Sequence, residues 1–564
     1  RRLLCTPARA RTPACARMRV RDFGAMRSVG GGFVGRCRLL RASLVVALGP
    51  AVAAAAAAEA ADASLGHGDS AHGSSSGPSD LRSVLRYGMM VDSGSEASRL
   101  VIYRWVANQT SCQPDAIVTP EAIGNTSVTP GIGSFALHPS DAGSSLARLV
   151  DFAKEKLRHL EHSWGSFPIW LRATAGMRLL HADEREAVLE NVQQFMSGTP
   201  FLFRDNQAIV ITGEEEGIFG WIAVNHRMGA LKESNMDAFN TIGALDLGGA
   251  SAQIVFIPEK SIMSQAFPLK LGPHRLRIYS WSFLHFGQLE AAHRSADIII
   301  SEALEQVQSI SEIRHPCFPM GYAYRPRFEY SDNRSFPMTV EMQGSSSFQD
   351  CERVVRKTFH KHAPCLAQSC SMYGVYQPHV YASKFTAFSH YADVAEALAL
   401  PQDARLVDLK VAAEYVCSLS RTQLNSIFEH MIDDTRTHLC FHATFIYTLL
   451  TFGFGFDPYS RQIEFKGRFG NGEPVDYIHG AMIYELNQDP SLVKLDAHER
   501  HAEAAGLAGV PSEEEEERRH GRAVEADGTS SAAAAEEAEA LAQEHLARPQ
   551  QQAPTPAGFL LLRE

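Results

Sequence analysis

Two short stretches of the sequence combine an apolar run ending in aspartate with a turn of glycine and serine. They are Met90–Ser95 (MVDSGS) and Ala244–Ser251 (ALDLGGAS), and a second apolar run follows each turn. Glycine lets the backbone approach a phosphate closely, and consecutive turn N–H groups form an anion-binding nest. A single hairpin of this kind is weak support, because turns are rich in Asp and Gly anyway. The repetition predicts two phosphate-binding turns facing each other across a cleft, with Asp92 and Asp246 holding a divalent cation through its waters.

Two further polar blocks each follow a predicted strand. They are Ala173–Leu180 (ATAGMRLL) and Gly213–Trp221 (GEEEGIFGW). Open α/β folds place their ligands just beyond the carboxyl ends of strands. The apolar patterns predict strands at Tyr87–Asp92, Arg99–Trp105, Phe167–Arg172 and Gln207–Thr212, and helices at Leu146–Leu160, Glu184–Met196, Ile298–Ile313 and Phe441–Leu450. Interleaved strands and helices around a repeated hairpin predict an α/β architecture built from a duplicated domain.

These four blocks, in this order and spacing, resemble the first four signature regions of the apyrase family, the nucleoside triphosphate diphosphohydrolases. A weaker fifth block is Asp476–Met482 (DYIHGAM), with Tyr477 where the family usually has tryptophan. The resemblance covers about Tyr87 to Asn487. It implies two actin-like (RNase H-like) lobes with the active site in the cleft between them. It also implies hydrolysis of the terminal phosphates of nucleoside tri- and diphosphates with Ca²⁺ or Mg²⁺ as cofactor.

The resemblance implies a role for each matching residue. Glu216 takes the position of the catalytic base that polarises the attacking water, whereas Glu214 and Glu215 are expected to be solvated neighbours. Asp92 and Asp246 match the pair that holds the metal. The matching water-positioning residues are Thr174, Ser251 and Gln253, and the matching phosphate-loop residues are Gly94, Ser95, Gly248, Gly249 and Ala250. This division of labour suits phosphoryl transfer, which depends mostly on positioning and charge stabilisation.

The sequence departs from the family pattern at the first turn. Glu96 and Ala97 follow Ser95, where the family usually continues with Ser-His or a similar pair. A carboxylate beside a phosphate loop is electrostatically unfavourable unless it points outward, and the missing histidine leaves the preference between triphosphates and diphosphates open. Tyr391 falls near the base-stacking tyrosine of the family, but the local alignment slips by a residue. A core position for Tyr391 is therefore the alternative. Trp170 and Trp221 are expected to be core, and Arg178 is expected only to pair locally.

The ends of the chain differ in composition from the middle. An apolar run at Ala42–Ala58 follows several arginines, so residues 1–60 are predicted to be a leader with a signal peptide, or alternatively a retained signal anchor. Residues 61–80 are predicted to be a flexible linker, residues 81–212 and 460–490 lobe I, residues 213–459 lobe II, and residues 491–564 an acidic, Ala/Glu-rich disordered tail. This organisation predicts a secreted or luminal protein that associates with membrane only if the apolar segment is retained.

The net charge bears on possible partners, and the sequons and cysteines agree with a secretory location. The formal net charge of -11 argues against a nucleic-acid partner, which would require a basic face. Asn108, Asn125 and Asn333 begin Asn-x-Ser/Thr sequons. By resemblance to the family, the expected disulfides are Cys317–Cys351, Cys365–Cys370 and Cys417–Cys440, which leaves Cys112 free or paired between chains.

Two other functions remain open from the sequence. An exopolyphosphatase-type phosphatase carries a similar Asp-x-Gly-Ser hairpin, and a nucleotide-binding module without turnover shares the duplicated fold. Gly220 and Trp221, the expected cysteine pairs and the leader favour the apyrase.

Overall fold

The computed structural model describes residues 83–108, 117–231, 238–306, 313–325, 327–328, 338–381, 383–470 and 472–493. The predicted leader, linker and most of the acidic tail lie outside these ranges, as do Cys112 and Asn333. Within the described ranges, no helix combines the length and apolar character needed to cross a bilayer.

The first sheet has five strands in the order β3-β2-β1-β4-β5. Their bounds are Ser83–Ser93 (β1), Ser98–Asn108 (β2), Glu121–Val128 (β3), Ile169–Ala173 (β4) and Ala208–Val210 (β5). Strands β1 to β3 are antiparallel, whereas β4 and β5 run parallel to β1. The pairing of β1 with β4 sets Ser93 beside Ala173, so the loops after these strands begin at the same edge of the sheet.

The second sheet repeats this plan. Its strands are Gly243–Leu247 (β6), Ser251–Phe256 (β7), Ala266–Leu271 (β8) and His274–Leu284 (β9), followed later in the chain by β15 and β16. Between them are short strands in two small sheets: Ile313–His315 (β10), Ala323–Tyr324 (β11), Arg327–Phe328 (β12), Met338–Thr339 (β13) and Met342–Gly344 (β14). The last two strands are Phe385–Ser389 (β15) and Ile463–Phe465 (β16).

The order β9-β7-β6-β15-β16 matches β3-β2-β1-β4-β5 in both sequence of strands and direction. In each sheet an antiparallel hairpin is followed by two parallel strands. The predicted duplicated, two-lobed α/β architecture is therefore confirmed. Strand β16 lies in the second sheet, so the predicted return to the first lobe at residue 460 is too early.

Two of the α-helices, Gly213–Arg227 (α4) and Tyr477–Gln488 (α11), pack between the sheets. The other α-helices in the described ranges are Ala147–Lys156 (α1), Ala175–Arg178 (α2), Ala182–Ser197 (α3), Gln288–Gln306 (α5), Phe348–Thr358 (α6), His390–Ala397 (α7), Leu406–Cys417 (α8), Arg421–Ile427 (α9) and Asp433–Thr448 (α10). One buried core joins Trp221 of α4 and Met482 of α11 to Met90 of the first sheet and Ile278 of the second. Helices α4 and α11 thus carry the packing from one sheet to the other.

Most predicted elements are present with shifted ends. The predicted helix at Leu146–Leu160 ends at Lys156 and continues as a 3₁₀ segment, and the one at Ile298–Ile313 instead occupies Gln288–Gln306. The prediction of a helix at Ile298–Ile313 was wrong at both ends. The helix begins earlier, with a first turn that contains polar residues, and Ile313 is the first residue of strand β10. Trp170 and Trp221 are core residues, as expected. All three expected disulfides are formed.

Candidate active site

The two glycine turns face each other at close range. A Cβ built on Gly249 would lie 2.6 Å from the Ser95 hydroxyl oxygen, so a larger residue in the β6–β7 turn would force a side chain of the β1–β2 turn to shift. Within the first turn, the Gly94 N–H donates to the Ala97 carbonyl at 2.9 Å. The predicted facing arrangement of the turns is therefore present in the structure.

The start of α5 fixes the orientation of the second turn. The carbonyls of Gly248 and Gly249 accept the N–H groups of Gln288 and Leu289, each at 2.9 Å, and the Ala250 carbonyl accepts that of His285 at 2.8 Å. In a trans peptide the N–H points opposite to the C=O. The N–H groups that follow these carbonyls, those of Gly249, Ala250 and Ser251, are consequently directed away from α5. That orientation suits anion binding.

Asp92 and Asp246 occupy equivalent places at the ends of β1 and β6. The pKa of Asp92 is raised to about 6 and that of Asp246 to about 7, chiefly by burial, and the charge of Glu216 contributes to both increases. The charge of Asp92 also raises the pKa of Asp246, and Glu216 acts on both aspartates, so the three carboxyl groups share one electrostatic environment. A hydrogen bond from Ser389 and the charge of His390 oppose the increase at Asp246.

This pair of carboxyl groups fits a divalent cation. A cation between them would stabilise both ionised carboxylates against the burial and the neighbouring negative charge of Glu216 that raise their pKa values. Within the described ranges, no three or more His, Cys, Asp or Glu side chains cluster as a ready-made metal cage. Two aspartates suit an ion such as Mg²⁺, which keeps several waters and is often bound through one or two carboxylates plus substrate phosphates.

Glu216 lies in the first turn of α4, and local capping separates it from its acidic neighbours. The Glu215 N–H donates to the Thr212 hydroxyl at 3.1 Å, and the Glu215 carboxylate accepts the Thr212 N–H at 2.8 Å. This capping box turns Glu215 back along the chain, whereas Glu216 is only 7% exposed. Burial raises the pKa of Glu216, and the Arg178 guanidinium partly opposes that increase.

Arg178 contacts two of the site residues, and a third is bonded to one of them. Its Nη2 lies 2.7 Å from Glu216 Oε2 and donates to the Ser251 hydroxyl at 3.3 Å. Gln253 Nε2 donates to the same hydroxyl at 2.8 Å. The structure thus brings Glu216, Ser251 and Gln253 together around a cation that the sequence analysis assigned only to local pairing. The sequence did hold a signal for this role, because Arg178 belongs to the polar block that follows β4.

Thr174 lies against the first turn. Its N–H and hydroxyl both donate to the Ser93 carbonyl, at 3.1 and 3.4 Å. These bonds tie the loop after β4 to the loop after β1. Thr174 therefore borders the first phosphate loop, and its predicted contact with water remains a prediction.

The fifth block contributes a residue that sequence reasoning treated only as a departure. The Tyr477 hydroxyl, at the start of α11, donates to the Asp92 carboxylate and to the Arg172 carbonyl. Asp476 beside it forms an ion pair with Arg99 at 3.1 Å. A tryptophan at position 477 could not make the same hydroxyl bond, so the tyrosine gives Asp92 a donor of its own.

Tyr391 does not occupy a position from which it could stack on a base. Its side chain is 0% exposed and belongs to the core that also contains Phe385, Val394 and Phe441. Among the described residues, its hydroxyl has no hydrogen-bond partner. The prediction of a stacking role is not supported by this placement, because base stacking requires an accessible ring face. The core alternative fits the observed burial.

Similarity to known proteins identifies the class of this enzyme. The GDA1/CD39 (nucleoside phosphatase) family model matches residues 81–498, and the chain belongs to this family. Nucleoside phosphate hydrolysis is accordingly its class of reaction.

Individual relatives agree with the family match. The chain is 30% identical over 444 residues to ectonucleoside triphosphate diphosphohydrolase 3 of Mus musculus, covering 73% of this chain and 80% of the relative. It is 27% identical over 421 residues to probable apyrase 5 of Arabidopsis thaliana, covering 72% and 83%. A crystal structure of nucleoside triphosphate hydrolases from Neospora caninum aligns with a TM-score of 0.56 at 16% identity, over 76% of this chain and 95% of that one. That alignment supports the shared fold.

Proposed function

We propose that this enzyme hydrolyses the terminal phosphate of nucleoside tri- and diphosphates with the help of Ca²⁺ or Mg²⁺. The observation that carries the proposal is the placement of buried Glu216 close enough to Asp92 and Asp246 to raise the pKa of both, beside facing glycine turns. Relatives named as triphosphate diphosphohydrolases and apyrases support this choice of substrates.

The roles of individual residues follow from their positions. The Ser95 hydroxyl and the N–H groups of Gly249 and Ala250 bind phosphoryl oxygens. Asp92 and Asp246 would hold the cation, which when bound supplies neutralisation of charge on the phosphate. The hydroxyl and amide groups of Ser251 and Gln253 hold a water near the terminal phosphorus, and Thr174 borders the first loop.

Glu216 accepts the proton of that water. The water oxygen forms a bond to the terminal phosphorus, while the bond from phosphorus to the bridging oxygen breaks and leaves the shortened nucleotide. A general base works best when its pKa lies near the operating pH, and burial moves the pKa of Glu216 in that direction. Arg178 limits this increase and therefore favours the ionised carboxylate.

The secretory location is part of the same proposal. Three disulfides are typical of an oxidising compartment. Asn125 lies exposed on β3, the outer strand of the first sheet, where a glycan can be attached. We expect a secreted or luminal enzyme.

A phosphate-release panel tests the proposal. ATP, ADP, UDP, GDP and polyphosphate are compared with calcium, magnesium or chelator, using the parent and the Glu216→Gln variant. We expect release from nucleotides that requires a divalent cation, and a loss on the order of 100-fold or more in Glu216→Gln with nucleotide binding retained. Glu214→Gln, a matched change in the same helical turn, is expected to stay within about twofold of the parent, since surface substitutions have small effects.

Each contrary outcome has a separate meaning. Release from polyphosphate but not from nucleotides would indicate an exopolyphosphatase-type enzyme. Nucleotide binding without release by the parent would indicate a binding module. Equal activity of the parent and Glu216→Gln would refute the assigned base.

A further inference from the structure

A carboxylate and an imidazole meet across the two glycine turns. Glu96 belongs to the turn between β1 and β2 of the first sheet, and His390 begins α7 after β15 of the second. Glu96 Oε1 lies 3.8 Å from His390 Nε2. Gln288 Nε2 approaches the same ring nitrogen at 2.9 Å, and Asp393 lies 3.5 Å from the other ring nitrogen. His390 is thus contacted on both sides of its ring; its Nε2 accepts the Gln288 amide, and Glu96 lies beside this nitrogen on the cleft side without a hydrogen bond to it.

Glu96 also lies directly against the second phosphate turn. A Cβ built on Gly249 would be 2.8 Å from Glu96 Oε1 and 2.6 Å from Ser95 Oγ. An anion bound between the Ser95 hydroxyl and the Gly249 N–H would therefore have this carboxylate as a neighbour. The Glu96 side chain does not point away from the cleft, the only orientation in which a carboxylate here would be electrostatically harmless.

Exposure indicates which part of a substrate passes Glu96. Glu216 and Asp246 are each only 7% exposed, whereas the side chains of Glu96 and His390 are 51% and 26% exposed. In the substrate orientation of the proposed function, the terminal phosphorus faces buried Glu216 and the remaining phosphates extend outward past the exposed Glu96. A diphosphate places one more phosphate along this path and a triphosphate places two. The extra phosphate of a nucleoside triphosphate therefore brings its negative charge close to the mouth of the cleft.

We propose that Glu96, which lies against the second phosphate turn, is a specificity-determining residue that disfavours nucleoside triphosphates relative to diphosphates. This inference rests on the proposed function. The Glu96 carboxylate repels phosphate charge through space. Its repulsion of one further phosphate charge at the cleft mouth is screened by water, and corresponds to a change in selectivity of about three- to tenfold.

The test measures kcat/KM for ATP and ADP at fixed cation and salt, and compares their ratio among variants. Glu96→Gln keeps the shape of the side chain and removes its charge, so the ATP/ADP ratio is expected to rise about three- to tenfold. Glu96→Asp keeps the charge and is expected to stay nearer the parent ratio. Raising the salt concentration is expected to shrink the difference between the parent and Glu96→Gln, since salt screens exposed charges.

Two further variants test whether the ATP/ADP ratio depends on the Glu96 charge itself or on any change around His390. Asp393→Asn removes a carboxylate from the far side of the same imidazole and is expected to leave the ratio unchanged within about twofold. His390→Gln leaves the Glu96 carboxylate in place and is expected to raise the ratio by less than Glu96→Gln. In a Glu96→Gln background, His390→Gln is expected to change the ratio no further.

The outcomes distinguish this inference from the proposed function. An ATP/ADP ratio that stays within about twofold of the parent in Glu96→Gln, with phosphate release intact, would overturn the role of Glu96 and leave the proposed function standing. An equal rise in Asp393→Asn would also overturn it, because the effect would then be general. Absence of phosphate release by the parent would overturn the proposed function and this inference with it.

Discussion

Replacing Arg178 with methionine removes the cation that contacts the Glu216 carboxylate. Arg178 Nη2 lies 2.7 Å from Glu216 Oε2, and both side chains are largely buried, with 15% and 9% exposed. The guanidinium is the group that lowers the pKa of Glu216 against the effect of burial. Without it, the carboxyl group keeps its buried surroundings and loses its positive neighbour.

The expected change is a higher pKa for Glu216. An opposite charge at this distance lowers the pKa of a carboxyl group by about 1 to 3, so its removal raises the pKa by about the same amount. A pKa difference of 1 corresponds to about 1.4 kcal/mol in the free energy of ionisation. Glu216 must be ionised to accept a proton from water. The acidic limb of the kcat/KM profile against pH is therefore expected to move to higher pH in Arg178→Met.

The acidic limb is obtained by measuring kcat/KM for phosphate release from ADP at pH values between 5 and 9. Arg227→Met is a matched control, because Arg227 lies at the other end of α4 and forms a similar partly buried ion pair with Glu473. We expect Arg227→Met to cost stability without moving the limb. If the limb of Arg178→Met coincides with that of the parent, while activity remains measurable, Arg178 does not control the ionisation of Glu216 and the reasoning fails.

Further predictions concern the donor to Asp92 and two glycines. Tyr477→Phe removes a donor that lowers the pKa of Asp92, so that pKa rises above about 6. We expect about tenfold more divalent cation for half-maximal activity near pH 6, and a smaller change at pH 8. Gly249→Ala places a methyl group against the facing turn, and kcat/KM is expected to fall on the order of tenfold or more. Gly480→Ala sets a Cβ 1.8 Å from the Phe219 carbonyl oxygen, so unfolding stability is expected to fall by about 3 kcal/mol.

Controls for these variants use the same measurements. Gly165→Ala is matched to both glycine variants, because a Cβ at Gly165 meets no atom within 4 Å. Loss of stability rather than activity in Gly249→Ala would contradict its place in the phosphate turn. Unchanged denaturant unfolding of Gly480→Ala would contradict the close packing of α11 on α4. An equal cation requirement of Tyr477→Phe and the parent at pH 6 would contradict the link from Tyr477 to Asp92.

Local sequence was sufficient for features that depend on neighbouring residues. The two hairpins are recognisable because a strand, an aspartate and a glycine turn follow one another directly, and the structure confirms the duplicated fold. The same holds for the contrast between Glu215 and Glu216, which depends on capping of one helix end. Element ends were less predictable, as α5 shows, because its polar first turn lacks the apolar periodicity and donates its N–H groups to the distant β6–β7 turn.

Contacts between distant segments were beyond sequence reasoning. Tyr477 donates to Asp92 across 385 positions of the chain, and Arg178 meets Glu216 across 38. Tyr391 lies near the position that the resemblance favours, yet the packing of α7 under the second sheet buries its ring.

The sequence by itself determined which residues can bind phosphate, hold a cation and accept a proton, since these capacities belong to residue types and to the turns that carry them. Only the tertiary structure decided which of them share one electrostatic environment. Burial and the approach of charges from other segments set the raised pKa values of Asp92, Asp246 and Glu216. The approach of Glu96 to His390 is likewise a product of two lobes meeting, because no local pattern specifies which side chains two sheets bring face to face.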